Sequence, residues 1–389
     1  MADNKNIPNL DPNLDIPKDK FKYVQLDERL HDEAIKGEAI GFFKDAMIRF
    51  RRNKAALISF FIIAFLAFMA IFGPMFNDFA FDQQNVKMTY MTPRISWLSG
   101  INFFAGTKTK EVKESSIQEK YADSFIEEVS RREIKGHQMV TIRYDLYKQT
   151  EKENPKLDPK PTDTYYWFGS DALGRDLFTR LWRGLRVSFM ISIIAMFVNI
   201  LVGIIYGAVS GYYGGWIDLM MQRIIEILGG VPYLVIVILF VLYFGPGIVP
   251  LAIAMCMTGW IGMSRMIRAQ FLKYKEMEYV LASRTLGAND RTLIFRHILP
   301  NAIGIIITMA ALEIPSAIFS ESFLAYIGLG IQAPESSIGV LLSDGQKVLL
   351  ESPHLTVFPA LVISVMMIAF NLMGNGLRDA FDPTLRGIE

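Results

Sequence analysis

The sequence predicts an all-α polytopic membrane protein with six transmembrane helices. Of its 389 residues, 51% are hydrophobic. They are concentrated in runs of roughly 18 to 25 residues, the length that a helix needs to cross a hydrocarbon core of about 30 Å. The formal net charge is +1, without the clustered basic excess that nucleic-acid binding normally requires. We therefore expect a chain embedded in the lipid bilayer, with no nucleic-acid partner.

Six apolar runs define the predicted spans. Their bounds are Ala55–Phe76, Val187–Ser210, Ile224–Phe244, Gly247–Ser264, Asn301–Ala325 and Leu355–Leu377. The resulting division is an N-terminal tail over 1–54, a first helix over 55–76, an insertion over 77–186, a five-helix core over 187–378 and a C-terminal tail over 379–389. The first 40 residues are polar and of mixed charge, so we expect no cleavable signal peptide.

Basic residues predict which side of the membrane each polar segment occupies, since Lys and Arg are enriched in cytoplasmic loops. Residues 265–297 carry seven Lys and Arg residues, whereas the loop over 326–354 carries only Lys347. An even number of spans places both termini on one side. We therefore expect a cell-membrane protein with both termini and the 265–297 segment in the cytoplasm, and with the 77–186 insertion outside.

The predicted outer insertion is strongly polar, and residues 105–164 are rich in Lys, Glu and Asp. Within it, "VTIRYDLY" (Val140–Tyr147) alternates apolar and polar side chains, which is typical of a half-buried strand. Two interpretations stay open. The insertion is either a small mixed α+β domain packed on the outer face or a partly flexible segment.

The stretch "SRTLGANDRTLIFRHILPN" (Ser283–Asn301) is polar and basic, although apolar runs flank it. Just upstream, Met277, Val280 and Leu281 fall at positions i, i+3 and i+4, which predicts one apolar stripe of a helix. Gly287 suits the left-handed conformation that often ends a helix. The first arm of an elbow is therefore predicted to end at this glycine.

A second short helix is predicted after the glycine. Asn289 or Asp290 can cap it, Leu293 and Ile294 then share one face, and Pro300 marks a break before the fifth span. The whole pattern indicates a helix–turn–helix elbow with an apolar ridge and basic flanks. It is either a solvated loop that only orients the protein or a docking ridge for a soluble partner.

The segment "EYVLASRTLGANDRTLIFRHILPN" resembles the cytoplasmic signature of ATP-binding cassette (ABC) importer permeases. Leu281-Ala282-Ser283 stands at that family's Glu-Ala-Ala position, with Gly287 and Leu299-Pro300 at the family's spacing. Four other segments are similar to the dipeptide and oligopeptide branch: "FGSDALGRDLFTRLWRGLRVS", "GYYGGWIDLMMQRIIEILGGVP", "ESFLAYIGLG" and "AFNLMGNGLRDAFDP". The stretch over 77–165 is longer than the resemblance leads us to expect.

The resemblance implies a type I ABC importer permease fold and a role as one half of a peptide translocation path. It implies as partners a second, homologous permease, two cytoplasmic ATPase subunits and an extracytoplasmic peptide-binding protein. ATP and Mg²⁺ would be bound by the ATPase subunits, so no cofactor is expected in this chain. The elbow would couple to an ATPase through Glu278, Leu281, Ala282, Ser283, Gly287, Ala288, Asn289 and Asp290.

The sequence lacks the residue patterns of an enzyme or a metal site. No Gly-rich loop ends in Gly-Lys-Ser or Gly-Lys-Thr, the phosphate-binding pattern of many ATPases. Cys256 is the only cysteine, and no pair of histidines has metal-ligand spacing. The four histidines are His31, His137, His297 and His354. We expect no catalytic residue and no resident metal.

Three carboxylates lie within the apolar runs, where a charge costs a few kcal/mol or more and usually faces a polar cavity or a partner. Glu313 is central in the fifth run, two residues before Pro315. It is predicted to be either a translocation-path group or a buried structural hydrogen-bonding group. Glu226 and Glu321 lie near the ends of their runs, so for them a path role competes with a snorkelling or interface contact.

Two further patterns concern packing. Gly203, Gly207 and Gly211 recur at every fourth residue and predict a smooth face for close helix contact. Gly174–Asp176 can cap an outer amphipathic helix with leucines at every fourth position. We expect that helix to lie on the membrane surface, or to contact the binding protein or form a gate.

Three other functions compete with a peptide permease. A nickel-importing permease shares the same motifs. An ion-coupled secondary carrier also places carboxylates in its spans, but it usually contains paired inverted repeats, and none is visible in this sequence. A membrane-anchored sensor could bind a ligand through the insertion, although six spans and a docking elbow exceed what it needs. The permease subunit of a peptide-importing ABC transporter is the function that the sequence favours.

Overall fold

The computed structural model describes residues 41–134 and 137–381. The chain divides into two compact units, residues 1–44 and 45–389. Of the first unit, only residues 41–44 are described, and helix α1 begins there. The predicted N-terminal tail is thus described only from residue 41, and residues 382–389 of the predicted C-terminal tail lie outside the described residues.

Helices account for most of the described residues. Their bounds are α1 (Phe42–Arg52), α2 (Lys54–Phe72), α3 (Ser115–Lys120), α4 (Leu146–Glu153), α5 (Leu177–Tyr213), α6 (Gly215–Gly230), α7 (Tyr233–Phe244), α8 (Ile248–Tyr274), α9 (Glu278–Thr285), α10 (Asp290–Thr292), α11 (Leu299–Tyr326), α12 (Ile338–Lys347) and α13 (His354–Phe381). A π-helical segment, Leu293–Ile298, joins α10 to α11. Short 3-10 turns lie at Gly73–Met75, Ser96–Leu98, Asn102–Phe104 and Pro161–Asp163.

Within the described residues, five helical segments are long and apolar enough to cross a membrane: Lys54–Met75, Leu177–Tyr213, Ile248–Tyr274, Asp290–Tyr326 and His354–Phe381. A sixth is obtained if α6 and α7 are counted together, although they are bent by 74° relative to each other. The predicted third span, Ile224–Phe244, is therefore two helices. The break lies at Val231, which is extended (φ −82°, ψ 123°), because the following Pro232 disfavours a helical conformation before it.

The helix that follows Gly174–Asp176 is not a surface helix. Asp176 caps α5 by accepting a hydrogen bond of 2.7 Å from the backbone N–H of Thr179. From there α5 runs without a break for 37 residues. Its leucines at positions 177, 181 and 185 are fully buried in a cluster with side chains of α11 and α13. The prediction of a helix on the membrane surface is wrong, because this apolar stripe packs inside the bundle.

Close packing of α5 on α8 depends on the predicted glycine face. A Cβ atom placed on Gly203 would lie 2.6 Å from the Cβ atom of Met263, and one on Gly207 would overlap the carbonyl oxygen of Ser264. Side chains cannot be accommodated at such separations, so the two backbones are in direct contact. The prediction of close helix contact along this face is confirmed.

The insertion contains a three-stranded antiparallel sheet. Its strands are β1 (Thr107–Lys113), β2 (Phe125–Ile134) and β3 (His137–Asp145), in the order β1-β3-β2. The strand predicted at Val140–Tyr147 corresponds to β3 but ends at Asp145, whose side chain caps α4 by accepting from the N–H of Tyr147 at 2.9 Å. The described insertion therefore has a mixed α and β composition, which is one of its two predicted alternatives.

Candidate functional site

The first arm of the elbow ends in a left-handed glycine. Gly287 has φ +87°. Its N–H donates to the carbonyl of Arg284, and the N–H of Ala288 donates to the carbonyl of Ser283, both at 3.0 Å. This pair of bonds is a Schellman motif, which satisfies the last carbonyls of α9 and requires a positive φ at the glycine position. The predicted helix end at Gly287 is present in the structure.

The second arm begins with a side-chain cap. The Oδ1 atom of Asn289 accepts a hydrogen bond of 2.9 Å from the N–H of Thr292. The chain then passes through the π-helical segment directly into α11. Pro300 is the second residue of α11 and lies within the continuous helical stretch Asp290–Tyr326. The predicted break at Pro300 is therefore wrong, and the second arm is continuous with the span.

Two side chains fix the elbow to the helix bundle. Val280 from α9 and Leu293 from the second arm are fully buried. They share one cluster with Ile267 and Phe271 of α8. Leu281, which the sequence placed in the same stripe as Val280, is exposed. Only one position of the predicted stripe therefore faces the bundle.

Exposed apolar side chains form a crest on the solvent-facing side of the elbow. Leu286, which precedes the left-handed glycine, is 89% exposed, and Leu281 and Tyr279 are also exposed. The Tyr279 hydroxyl accepts a hydrogen bond of 3.1 Å from the side-chain amide of Asn301 on α11, and partial burial raises the pKa of this phenol. Neither Leu286 nor Tyr279 was predicted. The crest provides an apolar surface that nothing else in the described part of the second unit covers.

Tyr212 links both arms of the elbow to α5. Its hydroxyl donates to the Oδ1 atom of Asp290 at 2.6 Å and accepts from the Nη2 atom of Arg284 at 3.4 Å. The ring is buried at the C-terminal end of α5. The sequence gives no signal for this link, because the bonded residues Tyr212 and Asp290 are 78 positions apart. A single buried hydroxyl thus connects the end of one span to the two arms.

A network of charged side chains lies near the Tyr212 hydrogen bonds. The guanidinium of Arg268 on α8 binds both carboxylate oxygens of Asp218 on α6. The Nζ atom of Lys275 donates to the carbonyl of Gly211 at 2.9 Å. These contacts hold the ends of α5, α6 and α8 together next to the elbow. The elbow therefore adjoins a place where three helices are bonded to one another.

Glu313, the central candidate for the translocation path, lies between two spans. Its Oε1 atom accepts a hydrogen bond of 2.8 Å from the side-chain amide of Asn199 on α5, and the pair is partly buried. Asn199 in turn packs against Gly259 of α8. The carboxylate therefore sits at a junction of α5, α8 and α11, where a polar group can line a path or bind a neighbouring helix.

The other two candidate carboxylates lie in different surroundings. Glu321 is fully buried and accepts a hydrogen bond of 3.0 Å from the Ser188 hydroxyl. The expected snorkelling contact does not apply to it, because no part of the side chain reaches the surface of the second unit. Glu226 is exposed on α6 and pairs with Arg223 at 2.6 Å. The structure does not bring these two groups into contact with Glu313.

A second charged cluster lies at the N-terminal end of α5. Arg175 donates to Asp171 at 2.7 Å, and the Nε atom of the buried Arg180 lies 3.4 Å from the same carboxylate. Arg183 binds both carboxylate oxygens of Glu335, at 3.1 and 2.6 Å. The sequence motif over 168–188 contains Asp171 and the three arginines but not Glu335, and none of these pairings was predicted. The cluster attaches the loop before α12 to the start of α5.

Over 41–134 and 137–381, no group of three or more His, Cys, Asp or Glu side chains is arranged to hold a metal ion. His31 lies outside the described residues, and His354 is buried at the start of α13.

Comparison with known proteins places the chain in a family. A family model described as "Binding-protein-dependent transport system inner membrane component" matches residues 199–387, and one described as "N-terminal TM domain of oligopeptide transport permease C" matches residues 41–93. The oligopeptide transport system permease protein OppC of Bacillus subtilis is 38% identical over 371 residues, which cover 95% of this chain and 99% of that protein. This chain belongs to the permease subunits of binding-protein-dependent ABC importers.

Two further relatives support the assignment of this chain to the permease family. The dipeptide transport system permease protein DppC of Bacillus subtilis is 36% identical, over 95% of this chain and 94% of its own length. The DppC protein of Lactococcus lactis is 35% identical, over 90% and 93%. The predicted family and the multi-pass membrane character are confirmed.

Proposed function

We propose that this permease forms half of the translocation path of an ABC importer for oligopeptides or dipeptides, and that its elbow couples the path to an ATPase. One observation supports the coupling role above others. The elbow has an exposed apolar crest around Leu286, while its base is fixed by Val280, Leu293 and the Tyr212 hydroxyl. A ridge that is exposed above and bonded below can pass the movement of a docked partner to the spans.

The proposed assembly contains two permeases, two ATPase subunits and an extracytoplasmic peptide-binding protein. ATP and Mg²⁺ are bound in the ATPase subunits, and this chain contributes no catalytic residue and no cofactor site. Both termini and the elbow face the cytoplasm, and the insertion lies outside. This orientation is supported by the seven bases in 265–297 against the single Lys347 in 326–354, since basic loops remain cytoplasmic.

Peptides are the proposed substrate because the similar proteins are named for oligopeptide and dipeptide transport. Glu313 is the proposed path residue in this chain. Its carboxylate is partly buried at a junction of three spans, where it can meet the charged or amide groups of a peptide. Glu321 and Glu226 are assigned other roles, the first in holding α11 to α5 and the second at the surface of α6.

Co-purification followed by reconstitution tests this function. Affinity capture of the full chain from its native membrane is expected to recover a second permease and two ATPase subunits. Reconstituted into proteoliposomes with the binding protein, the complex is expected to accumulate a labelled peptide only with ATP. Labelled Ni²⁺ in place of the peptide is the matched control. Uptake by this chain without an ATPase, or uptake of Ni²⁺ in preference to peptide, would contradict the proposal.

A further inference from the structure

A compact apolar loop projects from the insertion. It spans residues 95–105 and is closed by an antiparallel bridge between Arg94 and Ala105. Two 3-10 turns, Ser96–Leu98 and Asn102–Phe104, form its body. From Ile95 to Gly106 the sequence contains no charged residue, whereas the strands that follow are rich in Lys, Arg and Glu. We name residues 95–105 the apolar loop.

The apolar loop presents large apolar side chains outward. Trp97 is 81% exposed, Ile101 is 53% exposed and Phe103 is 43% exposed. Side chains of this size normally lie in a core or at an interface, and a cluster of them on a polar domain marks an interaction surface. The surface is therefore expected to be covered in the functional protein.

Part of the backbone of the apolar loop is hydrogen-bonded within the loop itself. The N–H groups of residues 98, 101 and 104 donate to the carbonyls of residues 95, 98 and 101, at 2.8 to 3.1 Å. At its base, the N–H of Ile95 donates to the carbonyl of Phe104 at 3.1 Å. A non-helical segment enters an apolar environment at low cost only if its polar backbone groups are already paired. The loop meets that condition only for these bonded groups, so it suits the membrane interface, where headgroups and water can pair the remaining N–H groups.

The apolar loop lies against the N-terminal part of the last span, α13. The ring of Phe103 lies 5.8 Å from that of Phe358, and the ring of Phe104 lies 6.4 Å from it. Phe358 belongs to the second turn of α13, just after the apolar run begins at Leu355. On the same helix Val357 and Leu361 are exposed. The loop therefore continues the apolar surface of a membrane span at the level where the span leaves the hydrocarbon core.

We propose that the apolar loop is an interfacial anchor that inserts into the lipid leaflet surrounding the first turns of α13. Tryptophan and phenylalanine are suited to this zone, and tryptophan is enriched at the boundary between headgroups and acyl chains. The occupant of the surface is therefore lipid. The anchor ties the charged insertion to the membrane beside the last span, so that the insertion cannot swing freely.

Site-directed spin labelling of the assembled complex tests the anchor. Cys256 is the only cysteine, so a Cys256→Ala background allows one label at a time. Ile101→Cys labels the tip of the loop, and Val129→Cys is the matched control, a similarly exposed apolar residue on β2. In nanodiscs of phosphatidylethanolamine and phosphatidylglycerol, collisions of the 101 label with oxygen are expected to exceed those with a water-soluble nickel chelate severalfold. The 129 label is expected to show the reverse.

Two outcomes would overturn the anchor. Equal access of the nickel chelate to the 101 and 129 labels would show that the loop tip lies in water. Protection of the 101 label from both reagents in the complex, but not in the chain alone in nanodiscs, would show that a protein subunit covers it.

Tryptophan fluorescence gives a measurement that needs no label. The signal lost in Trp97→Phe is the contribution of Trp97, and it is expected to be quenched severalfold more by lipids brominated near the headgroup than by lipids brominated near the chain end. Quenching by aqueous iodide alone would contradict the proposal. Neither experiment depends on which solute the importer carries, so the anchor and the proposed function can fail separately.

Discussion

The hydroxyl of Tyr212 donates a hydrogen bond of 2.6 Å to the carboxylate of Asp290. Tyr212 is the penultimate residue of α5, and Asp290 is the first residue of α10 in the second arm of the elbow. Because Arg284 from the first arm approaches the same oxygen at 3.4 Å, the two arms cannot move apart without breaking a contact to α5. The elbow is thereby a unit with a defined attachment, and several of its properties can be tested.

Removing this hydroxyl is expected to weaken coupling without unfolding the permease. Tyr212→Phe keeps the buried ring and loses the hydrogen bond to a charged group, which is typically worth about 1.5–3 kcal/mol. We expect fewer peptides imported per ATP hydrolysed, with normal assembly of the complex. Tyr213→Phe, a change at the exposed neighbouring tyrosine, is the control and is expected to retain coupling. An unchanged ratio of uptake to hydrolysis in Tyr212→Phe would remove this residue from the coupling route.

A side chain at the elbow glycine is expected to distort the docking ridge. Gly287→Val places a β-branched residue at φ +87°, which costs about 1–3 kcal/mol of backbone strain. We predict that ATP hydrolysis by the complex becomes independent of uptake, while insertion in the membrane is retained. Gly245 also has a positive φ and open surroundings but lies between α7 and α8, so Gly245→Val is the control. Both variants behaving alike would mean that backbone strain alone, and not the elbow, explains the result.

The contact between α5 and α8 is expected to tolerate no side chain. Gly207→Ala directs a methyl group onto the carbonyl oxygen of Ser264, and overpacking of this kind typically costs about 1–3 kcal/mol. We expect a lower Tm of the detergent-solubilised protein. Gly262 on α8 has open space around it, so Gly262→Ala should leave the Tm unchanged or raise it, because alanine favours a helix. A Tm of Gly207→Ala equal to that of wild type would contradict the close backbone contact.

The charge of Glu313 is expected to matter for transport more than for folding. Glu313→Gln keeps an acceptor for the Asn199 amide but removes the charge, so we predict altered peptide uptake at a nearly unchanged Tm. Glu313→Ala leaves that amide without its partner, which costs about 1–3 kcal/mol when the group is buried. Glu226→Gln is the control, since an exposed ion pair such as Glu226–Arg223 contributes only about 0–1 kcal/mol. Normal uptake by both Glu313 variants would exclude the path role.

The sequence predicted features that depend on local chemistry. Gly287 and Asn289 are recognisable because helix ends demand a left-handed residue and a side-chain acceptor, and the glycines facing α8 are recognisable by their spacing. The sequence did not predict the bend at Val231, since an apolar run has the same composition whether it is straight or broken. Nor did it predict the Tyr212 link or the Arg183–Glu335 pair, whose members are brought together only by the folded bundle.

The uninterrupted length of α5 has a mechanical consequence. At 1.5 Å per residue, its 37 residues form a rod of about 55 Å, nearly twice the thickness of the hydrocarbon core. One end of the rod carries the ion pairs of Arg180 and Arg183, and the other carries Tyr212. A stiff rod held at both ends does not absorb a tilt along its length. A rotation imposed at the tyrosine would therefore appear as a displacement of the arginines on the opposite face of the membrane.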